Sequence, residues 1–407
     1  MTNEVVNVPE LRFTGFEDEW KETNLGNIAN IVGGGTPKTE IPEYWNGEIN
    51  WYSPVEIGNR NYVYESKNKI TQLGLKKSSA KILPIGTVLF TARAGIGNTA
   101  ILKKEGATNQ GFQSIIPKEG VLDTYFIFSR TNELKRYGEI HGAGSTFVEI
   151  SGKEMAKMPI SIPVIKEQQK IGEFFSKLDR QIELEEQKLE KLKEQKKGYM
   201  QKIFSQTLRF KDEEDNVYPD WIRTKLINIV TPLKGQDDNI TNFPILTISA
   251  SRGWLNQKER FSQVIAGNSL KKYTQVKKND LSYNKGNSKV AKYGIVFRLK
   301  NEALVPNVYK SFRPNENIDS IFIEKYFHNK TLDKQLRTRI TSTARTDGLL
   351  NISDQDFYDI KLYIPILQEQ TKIADFLNKL DKLIEKQSSK IILLKHRKKG
   401  LLQKMFV

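Results

Sequence analysis

Residues 162–204 (IPVIKEQQKIGEFFSKLDRQIELEEQKLEKLKEQKKGYMQKIF) realign without a gap on residues 364–406 (IPILQEQTKIADFLNKLDKLIEKQSSKIILLKHRKKGLLQKMF), and 21 of the 43 aligned pairs are identical. The register continues backward through Ile150-Ser151 and Ile352-Ser353. A weaker echo precedes each copy: Leu11-Arg12-Phe13 and Trp20 open the first half, Leu208-Arg209-Phe210 and Trp221 the second. A variable block followed by one recurring segment, twice over, points to two equivalent units. The layout is an N-terminal segment 1–22, a first block 23–152, a central segment 153–207, a linker 208–222, a second block 223–354 and a C-terminal segment 355–407.

The recurring segment has a period. From Ile171, steps of four and three residues visit Phe175, Leu178, Ile182, Glu185, Leu189, Leu192, Lys196, Tyr199 and Ile203, and eight of these ten positions are apolar. The second copy visits Ile373, Leu377, Leu380, Ile384, Gln387, Ile391, Leu394, Lys398, Leu401 and Met405, with its polar residues at the same two places. A 3.5-residue repeat is the seam of a coiled coil, and coinciding polar positions favour a pairing register over two helices that pack separately on their own blocks. Each helix would run about 40 residues, or ~60 Å at 1.5 Å per residue. Pro163 and Pro365 close the extended segments 158–162 and 361–364 just before the helices start. The blocks themselves read as short strands broken by Gly, Asn and Pro, with helices over 123–137 and 321–338, an α+β pattern.

The formal net charge is +16, from 64 Lys and Arg against 48 Asp and Glu, so a polyanionic partner is expected: DNA, RNA or an anionic membrane surface. No apolar stretch approaches the ~20 residues that span a bilayer. The start of the chain (MTNEVVNVPELRF) does not read as a secretory signal. With no cysteine there is no disulfide and no thiolate metal site, which fits a reducing cytoplasm. Nor do the residues assemble a catalytic centre. His141, His328 and His396 stand apart from one another, and no zinc spacing occurs. Gly33-Gly34-Gly35-Thr36-Pro37-Lys38 is glycine-rich, but it has neither the spacing of a phosphate loop nor that of a dinucleotide fingerprint. It reads as a tight turn in which Gly34, Gly35, Thr36 and Lys38 are candidate phosphate contacts. The expectation is a binder without catalytic residue, metal or cofactor.

The most basic stretch is 265–300, at net +8, with Tyr273, Tyr283, Tyr293 and Phe297 interleaved among its charges. Its centre, Asn284, Lys285, Gly286, Asn287, Ser288 and Lys289, followed by Lys292, supplies donors for phosphates and base edges. The alternative is an ordinary solvated hairpin. In the first block the analogous candidates are Thr91–Asn98, with Arg93 and Asn98, and the turn at Asn109, Gln110 and Gly111. An arginine flanked by small residues suits guanine, phosphate or an internal carboxylate. Two further polar turns precede the recurring segments, His141–Phe147 with Ser145 and Thr146, and Thr341–Leu350 with Arg345 and Thr346. Their equivalent positions suggest equivalent work; the bland reading is that they only end strands.

These residues resemble the DNA specificity subunits of type I restriction-modification systems. The resemblance rests on IPVIKEQQKI with FFSKLD and IPILQEQTKI with FLNKLD. It extends to the openings LRFTGFEDEW and LRFKDEEDNVYPDW, and to GGGTPK, TNQGFQSI, SYNKGNSKVAKYG and ARTDGLLNIS within the blocks, so it covers nearly the whole chain. It implies an α+β chain of two globular target-recognition domains separated by two long helices that pair as an antiparallel coiled coil. Each domain would read half of a bipartite DNA site, with the helices setting the spacer. It implies as partners double-stranded DNA, two adenine-N6 methyltransferase subunits and restriction endonuclease/translocase subunits. S-adenosylmethionine, ATP and Mg2+ would belong to those partners, and no membrane is involved. The competing expectation is a coiled-coil architectural or RNA-binding protein with a steep salt dependence and little sequence preference.

Overall fold

The fold is given by a computed structural model and is described for residues 7–93, 95–144, 148–235, 243–261, 267–286, 291–340 and 350–407. It divides into two compact units, residues 1–186 with 390–407, and residues 187–389. Two long helices, Ile165–Phe204 and Leu367–Met405, run 40 and 39 residues, as the repeat predicts. Each unit holds one variable block, the start of the helix that follows it, and the end of the other helix.

The recurring Glu-Gln pair closes each block. In the first unit the buried Glu167 carboxylate accepts two hydrogen bonds from the Arg12 guanidinium, at 2.7 and 2.8 Å. Its neighbour Gln168 donates to the carbonyls of Pro163 (2.8 Å) and Val121 (3.0 Å) and accepts from the Asp123 amide (3.0 Å). Asp123 in turn caps the helix Thr124–Ser129 by accepting from the Phe126 amide. The second unit repeats the set. Arg209 donates to Glu369 at 2.8 and 2.9 Å, Gln370 holds the carbonyls of Pro365 and Asn317 and the Asp319 amide, and Asp319 caps Ser320–His328. A planar guanidinium meeting a carboxylate through two N–H groups is the strongest form of ion pair. The strands entering and leaving each block pair antiparallel beside it: Lys21–Asn24 with Pro159–Ile162, and Ile222–Lys225 with Lys361–Ile364.

Within each unit the helices run antiparallel. In the first, Lys398 pairs with Asp179 (2.5 Å), Lys395 with Glu186 (2.5 Å), and Lys390 with Glu185. In the second, Lys196 pairs with Asp381, and Tyr199 meets Phe376 edge to face at 5.1 Å. Three of the four polar exceptions in the heptad seam, Glu185, Lys196 and Lys398, are thus members of cross-helix ion pairs. The fourth, Gln387, is buried. Burial opposes the charge on Asp381, but the ammoniums of Lys325 and Lys196 more than offset it and hold the carboxyl below the usual range. The last turn of one helix packs on the first turns of the other: Met405 and Phe406 against Phe175, Phe126 and Trp20, and Ile203 and Phe204 against Ile373, Leu377 and Phe322.

Although the blocks do not align in sequence, they share a sheet. In the first, strands Ala29–Gly33, Gln113–Pro117, Val88–Phe90 and Thr99–Leu102 lie side by side in that order, with Tyr62–Val63 added at the edge. In the second the order is Val230–Leu233, Lys310–Pro314, Leu281–Asn284 and Ile295–Arg298. The first block adds a three-stranded sheet around Trp45–Tyr52; the second adds the pairs Leu246–Ser249 with Gly253–Asn256 and Thr274–Val276 with Ala303–Val305.

Each helix expected within a block is in fact two. The first breaks at Arg130, which leaves helical backbone (φ −89°, ψ 18°) and buries its guanidinium 5.6 Å from the Phe406 ring, donating to the Ser161 carbonyl. The second ends at His328, and Lys330 at φ 62° stops it before Asp333–Arg339 begins, since a left-handed residue cannot continue a right-handed helix.

The closing ion pairs yield a prediction. Glu167→Gln leaves the Arg12 guanidinium largely buried without its counter-charge and should cost about 3 kcal/mol. By hydrogen exchange the strand Lys21–Asn24 should lose protection while Ile222–Lys225 keeps it; equal loss in both would show that the two closures are not independent.

Candidate nucleic-acid interface

In the first block four candidate segments meet at one end of the shared sheet, and in the second block the basic loop and the end of the second polar turn meet at the corresponding end. In the first unit the turn after Ala29–Gly33, the loop Thr91–Asn98, the turn Asn109–Gly111 and the segment ending at Ile150 are joined by backbone hydrogen bonds. The Gly35 amide donates to the Thr108 carbonyl (2.8 Å), the Ala92 amide to Gly111 (2.8 Å) and the Ile150 amide to Ala92 (3.1 Å). The Thr36 hydroxyl donates to the Gln110 side-chain carbonyl. Gly34 and Gly35 serve close approach. A Cβ on Gly34 would lie 1.9 Å from the Asn109 carbonyl oxygen, and one on Gly35 would lie 2.4 Å from the Ala80 nitrogen. The loop Thr91–Asn98 folds on Thr91, whose hydroxyl donates to Gly95 and accepts from the Asn98 amide, with Gly95 and Gly97 at φ 107° and 96°.

Arg93 is half-exposed, with its guanidinium 3.5 Å from the Glu149 carboxylate, so the internal-carboxylate reading has a partner. Lys38, Asn98 and Gln110 are exposed, and Asn109 is occupied in its own turn by accepting from the Gly111 amide. Ser145 and Thr146 lie outside the described residues, as do Asn287, Ser288, Lys289, Arg345 and Thr346.

In the second unit the corresponding end is a cleft of about 370 Å³ whose lining includes Lys234, Lys272, Lys285, Lys310 and Asp354. Asp354 accepts from Lys310 (2.5 Å) and Lys234 (2.9 Å), and these two contacts hold its carboxyl down to about 2, so it stays charged at neutral pH. Four lysines around one carboxylate leave the cleft strongly positive. The Lys285 carbonyl accepts from the Leu350 amide, which brings the end of the second polar turn to the basic loop. Asn284 donates to the Ile248 carbonyl and accepts from the Gly286 amide, shaping the loop entrance. Lys292 is exposed, its ammonium 5.8 Å from the Tyr293 ring.

The registers put three residues of one block in the places of three in the other. Ala29 pairs with Pro117 as Val230 pairs with Pro314, so Gly33 and Gln113 correspond to Lys234 and Lys310, and the repeat makes Gly152 correspond to Asp354. In the first unit a Cβ on Gly152 would sit 2.8 Å from the Gln113 side-chain oxygen. An uncharged Gly, Gln, Gly cluster thus stands where the other block has Lys, Lys, Asp. This second set has no signature in the sequence, because its members lie far apart in the chain and meet only through strand register.

The structure disperses the basic stretch. Of its interleaved aromatic residues Tyr273 and Tyr283 are buried, Tyr283 stacks on Phe357 at 4.6 Å, and its hydroxyl donates to the Tyr293 carbonyl. Nor does the charge form one patch. Because Leu281–Asn284 and Ile295–Arg298 are antiparallel, Lys285 and Lys292 lie at one end of the sheet while Lys277, Lys278 and Lys300 lie at the other. The single acid of the stretch, Asp280, is buried and bound by Arg313 at 2.7 and 2.8 Å. Among the histidines, His328 is half-buried with Nε2 2.7 Å from the Val296 carbonyl, and desolvation pushes its pKa down; His141 stacks on Tyr137. Among the described residues no group of three or more His, Asp or Glu side chains is placed to hold a metal ion, and no helix is long and apolar enough to cross a membrane.

The sequence model of the type I restriction modification DNA specificity domain matches twice, at residues 17–194 and 224–395. The chain is 37% identical over 214 residues to the type I restriction enzyme MjaIX specificity subunit of Methanocaldococcus jannaschii, covering 49% of this chain and 50% of that one. It is 34% identical to the EcoR124I/EcoR124II specificity subunit of Escherichia coli, over 42% and 43% of the two chains. The chain therefore spans about half the length of these curated relatives. In fold it resembles the crystal structure of a type I restriction-modification S subunit from M. genitalium, with a TM-score of 0.60 at 16% identity over 98% of this chain and 99% of that one.

The glycine turn is directly testable. Gly34→Ala forces a methyl group onto the Asn109 and Thr108 carbonyls, so the Gly35 amide should exchange at least about ten-fold faster, as expected for a loss beyond 1.4 kcal/mol. Unchanged exchange would show that the turn has room.

Proposed function

The chain belongs to the type I restriction modification DNA specificity family, and from that membership we propose that it is the sequence-specific DNA-binding subunit of a type I restriction-modification complex. Each recognition block reads one half of a bipartite, asymmetric site, and the paired helices set the spacer between the halves. The observation that carries this reading is the convergence of the polar segments at one end of the same sheet in both blocks, with unlike chemistry in equivalent places. Lys38, Arg93, Asn98 and Gln110 face DNA in the first block, and Asn284, Lys285 and Lys292 in the second. Lysines meeting phosphates supply affinity, while the donors and acceptors of the loops discriminate base edges. The Gly33, Gln113, Gly152 set and the Lys234, Lys310, Asp354 set make the two half-sites unlike.

The subunit itself performs no chemistry. Two adenine-N6 methyltransferase subunits and the restriction endonuclease/translocase subunits bring S-adenosylmethionine, ATP and Mg2+, and the assembly works on double-stranded DNA in the cytoplasm. The repeat gives each methyltransferase an equivalent mount.

Replacing residues 223–354 with the block of a relative should change one half of the methylated motif and leave the other intact. A change in both halves, read by genome-wide mapping of methylated adenines, would contradict separate reading heads.

The spacer role has its own test. One heptad inserted after Gln187 and one after Ser389 keep the seam in register and lengthen each helix by about 10 Å at 1.5 Å per residue. That is about three base pairs, which also turn the second half-site by roughly 100° on a duplex of about 10.5 base pairs per turn. The methylated motif should gain a longer spacer with both halves unchanged, or methylation should fall steeply. An unaltered spacer at full modification would remove the helices from that role.

A further inference from the structure

Val55 is the most exposed large apolar side chain among the described residues, with 87% of its surface open. Scattered apolar side chains are ordinary on a protein surface, but this one stands on a turn that the chain holds at several points. Pro54 fixes the backbone just before it. The Glu56 amide donates to the Ser53 carbonyl (3.0 Å), closing the short turn Pro54–Glu56. One oxygen of the Glu56 carboxylate accepts from the Ser53 amide (2.9 Å) and hydroxyl (2.8 Å), and the other accepts from the Lys67 amide (2.6 Å). Ile57, two residues on, is buried in the block. The one acid of the turn is thus occupied by the chain's own donors, and the isopropyl group is left facing solvent.

The turn joins the polar loops of the first block. On one side the Asn109 amide donates to the Tyr52 carbonyl (3.0 Å), and a Cβ on Gly111 would lie 3.1 Å from Pro54 Cγ and 3.5 Å from Arg93 Nε. On the other side Gly58, at φ 97°, lies so close to the Asn98 side chain that a Cβ would meet it at 2.9 Å. Val55 therefore projects from the segment that bridges Arg93 and Asn98, two of the residues proposed to face DNA.

The second block has a turn in the same chain position, after the strand that follows the first strand of the shared sheet. There Leu246–Ser249 leads into Ala250, Ser251 and Arg252, and the Asn284 side chain donates to the Ile248 carbonyl (3.2 Å), tying this turn to the basic loop. Ser251 and Arg252 are exposed. Where one block offers an isopropyl group, the other offers a hydroxyl and a guanidinium, as two unlike half-sites require.

A rigid apolar group among hydrogen-bonding side chains fits one feature of a duplex. The 5-methyl of thymine is the apolar substituent of the major groove, where the other distinguishing groups donate or accept. A lone valine is far below the apolar area that a protein partner covers. We propose that Val55 is a specificity-determining residue of the first block, packing on the 5-methyl group of one thymine in the major groove. This rests on the reading of the chain as a DNA specificity subunit.

The test uses the full chain assembled with the modification subunit, and duplexes carrying the methylated motif. Each thymine is replaced in turn by deoxyuridine, which lacks only the 5-methyl. One replacement, in the half-site that exchange of residues 223–354 leaves intact, should weaken binding about four-fold, as expected for one buried methyl group. Val55→Ala should weaken binding to the thymine duplex by a similar factor and bind both duplexes alike at that position. Its melting temperature should match that of the wild type, because the side chain is exposed. If no thymine in that half-site is sensitive, or if the sensitivity survives in Val55→Ala, the role of Val55 is overturned and the wider reading stands. Loss of the modification subunit from Val55→Asp without DNA would make the valine a protein contact and overturn the proposal in the same way. An assembly that prefers no DNA sequence removes the specificity-subunit reading and this one with it.

Discussion

The scaffold depends on a buried carboxylate at the start of each long helix. Glu167 and Glu369 are fully buried, and each is bound at both oxygens by the arginine of the segment leading into its block. The adjacent Gln168 and Gln370 reach the other way, to the capped helix of the block. Two consecutive residues thus tie three pieces of chain to one helix start: the entering segment, the block and the strand that leaves it. An unpaired charge at that depth would cost several kcal/mol, so Arg12 and Arg209 are fixed wherever the blocks drift. That accounts for the echo Leu-Arg-Phe surviving outside the better-aligned repeat.

Inside this frame the blocks are free to change. Their four central strands keep one order, because strand order is set by how the entering and leaving segments are held, while Gly33, Gln113 and Gly152 at the loop end lie outside the apolar core. Gly33, Gln113 and Gly152 can become Lys234, Lys310 and Asp354 without disturbing the core beneath. The exchange must be concerted: a lysine as buried as Lys310 is tolerated with Asp354 beside it, and an isolated charge there would not be.

Local physics made some features legible in the sequence and hid others. The helices, their length and their seam were readable because a 3.5-residue period is written in adjacent residues, and Pro163 and Pro365 mark where the preceding strands end. The common sheet was not, since strand order is a non-local property and the blocks had lost recognisable identity. The basic stretch disperses for the same reason. Its charge was counted along the chain, but two antiparallel strands send Lys285 and Lys277 to opposite ends, and Tyr283 reads as an interleaved aromatic until the strand turns it into the core. Arg93, Asn284 and Lys285 stand out as candidates in loop composition, whereas Lys234 and Lys310 have no local signature.

The polar residues of the seam carry the last step. A purely apolar seam lets antiparallel helices slip by a heptad at small cost, because leucine meets leucine in either register. Here Lys398 finds Asp179 and Lys196 finds Asp381, each pair inside its own unit. A slip of seven residues would leave Asp179 and both lysines partly buried without these counter-charges, a penalty of several kcal/mol. The aspartates are further held from the blocks, Asp179 by the Tyr125 hydroxyl at 2.7 Å and Asp381 by the Lys325 ammonium at 2.7 Å. Each block therefore grips the helix pair at the residue that fixes its register. The proposed spacer role would need that coupling, because a spacer is only as well defined as the register of the helices that set it.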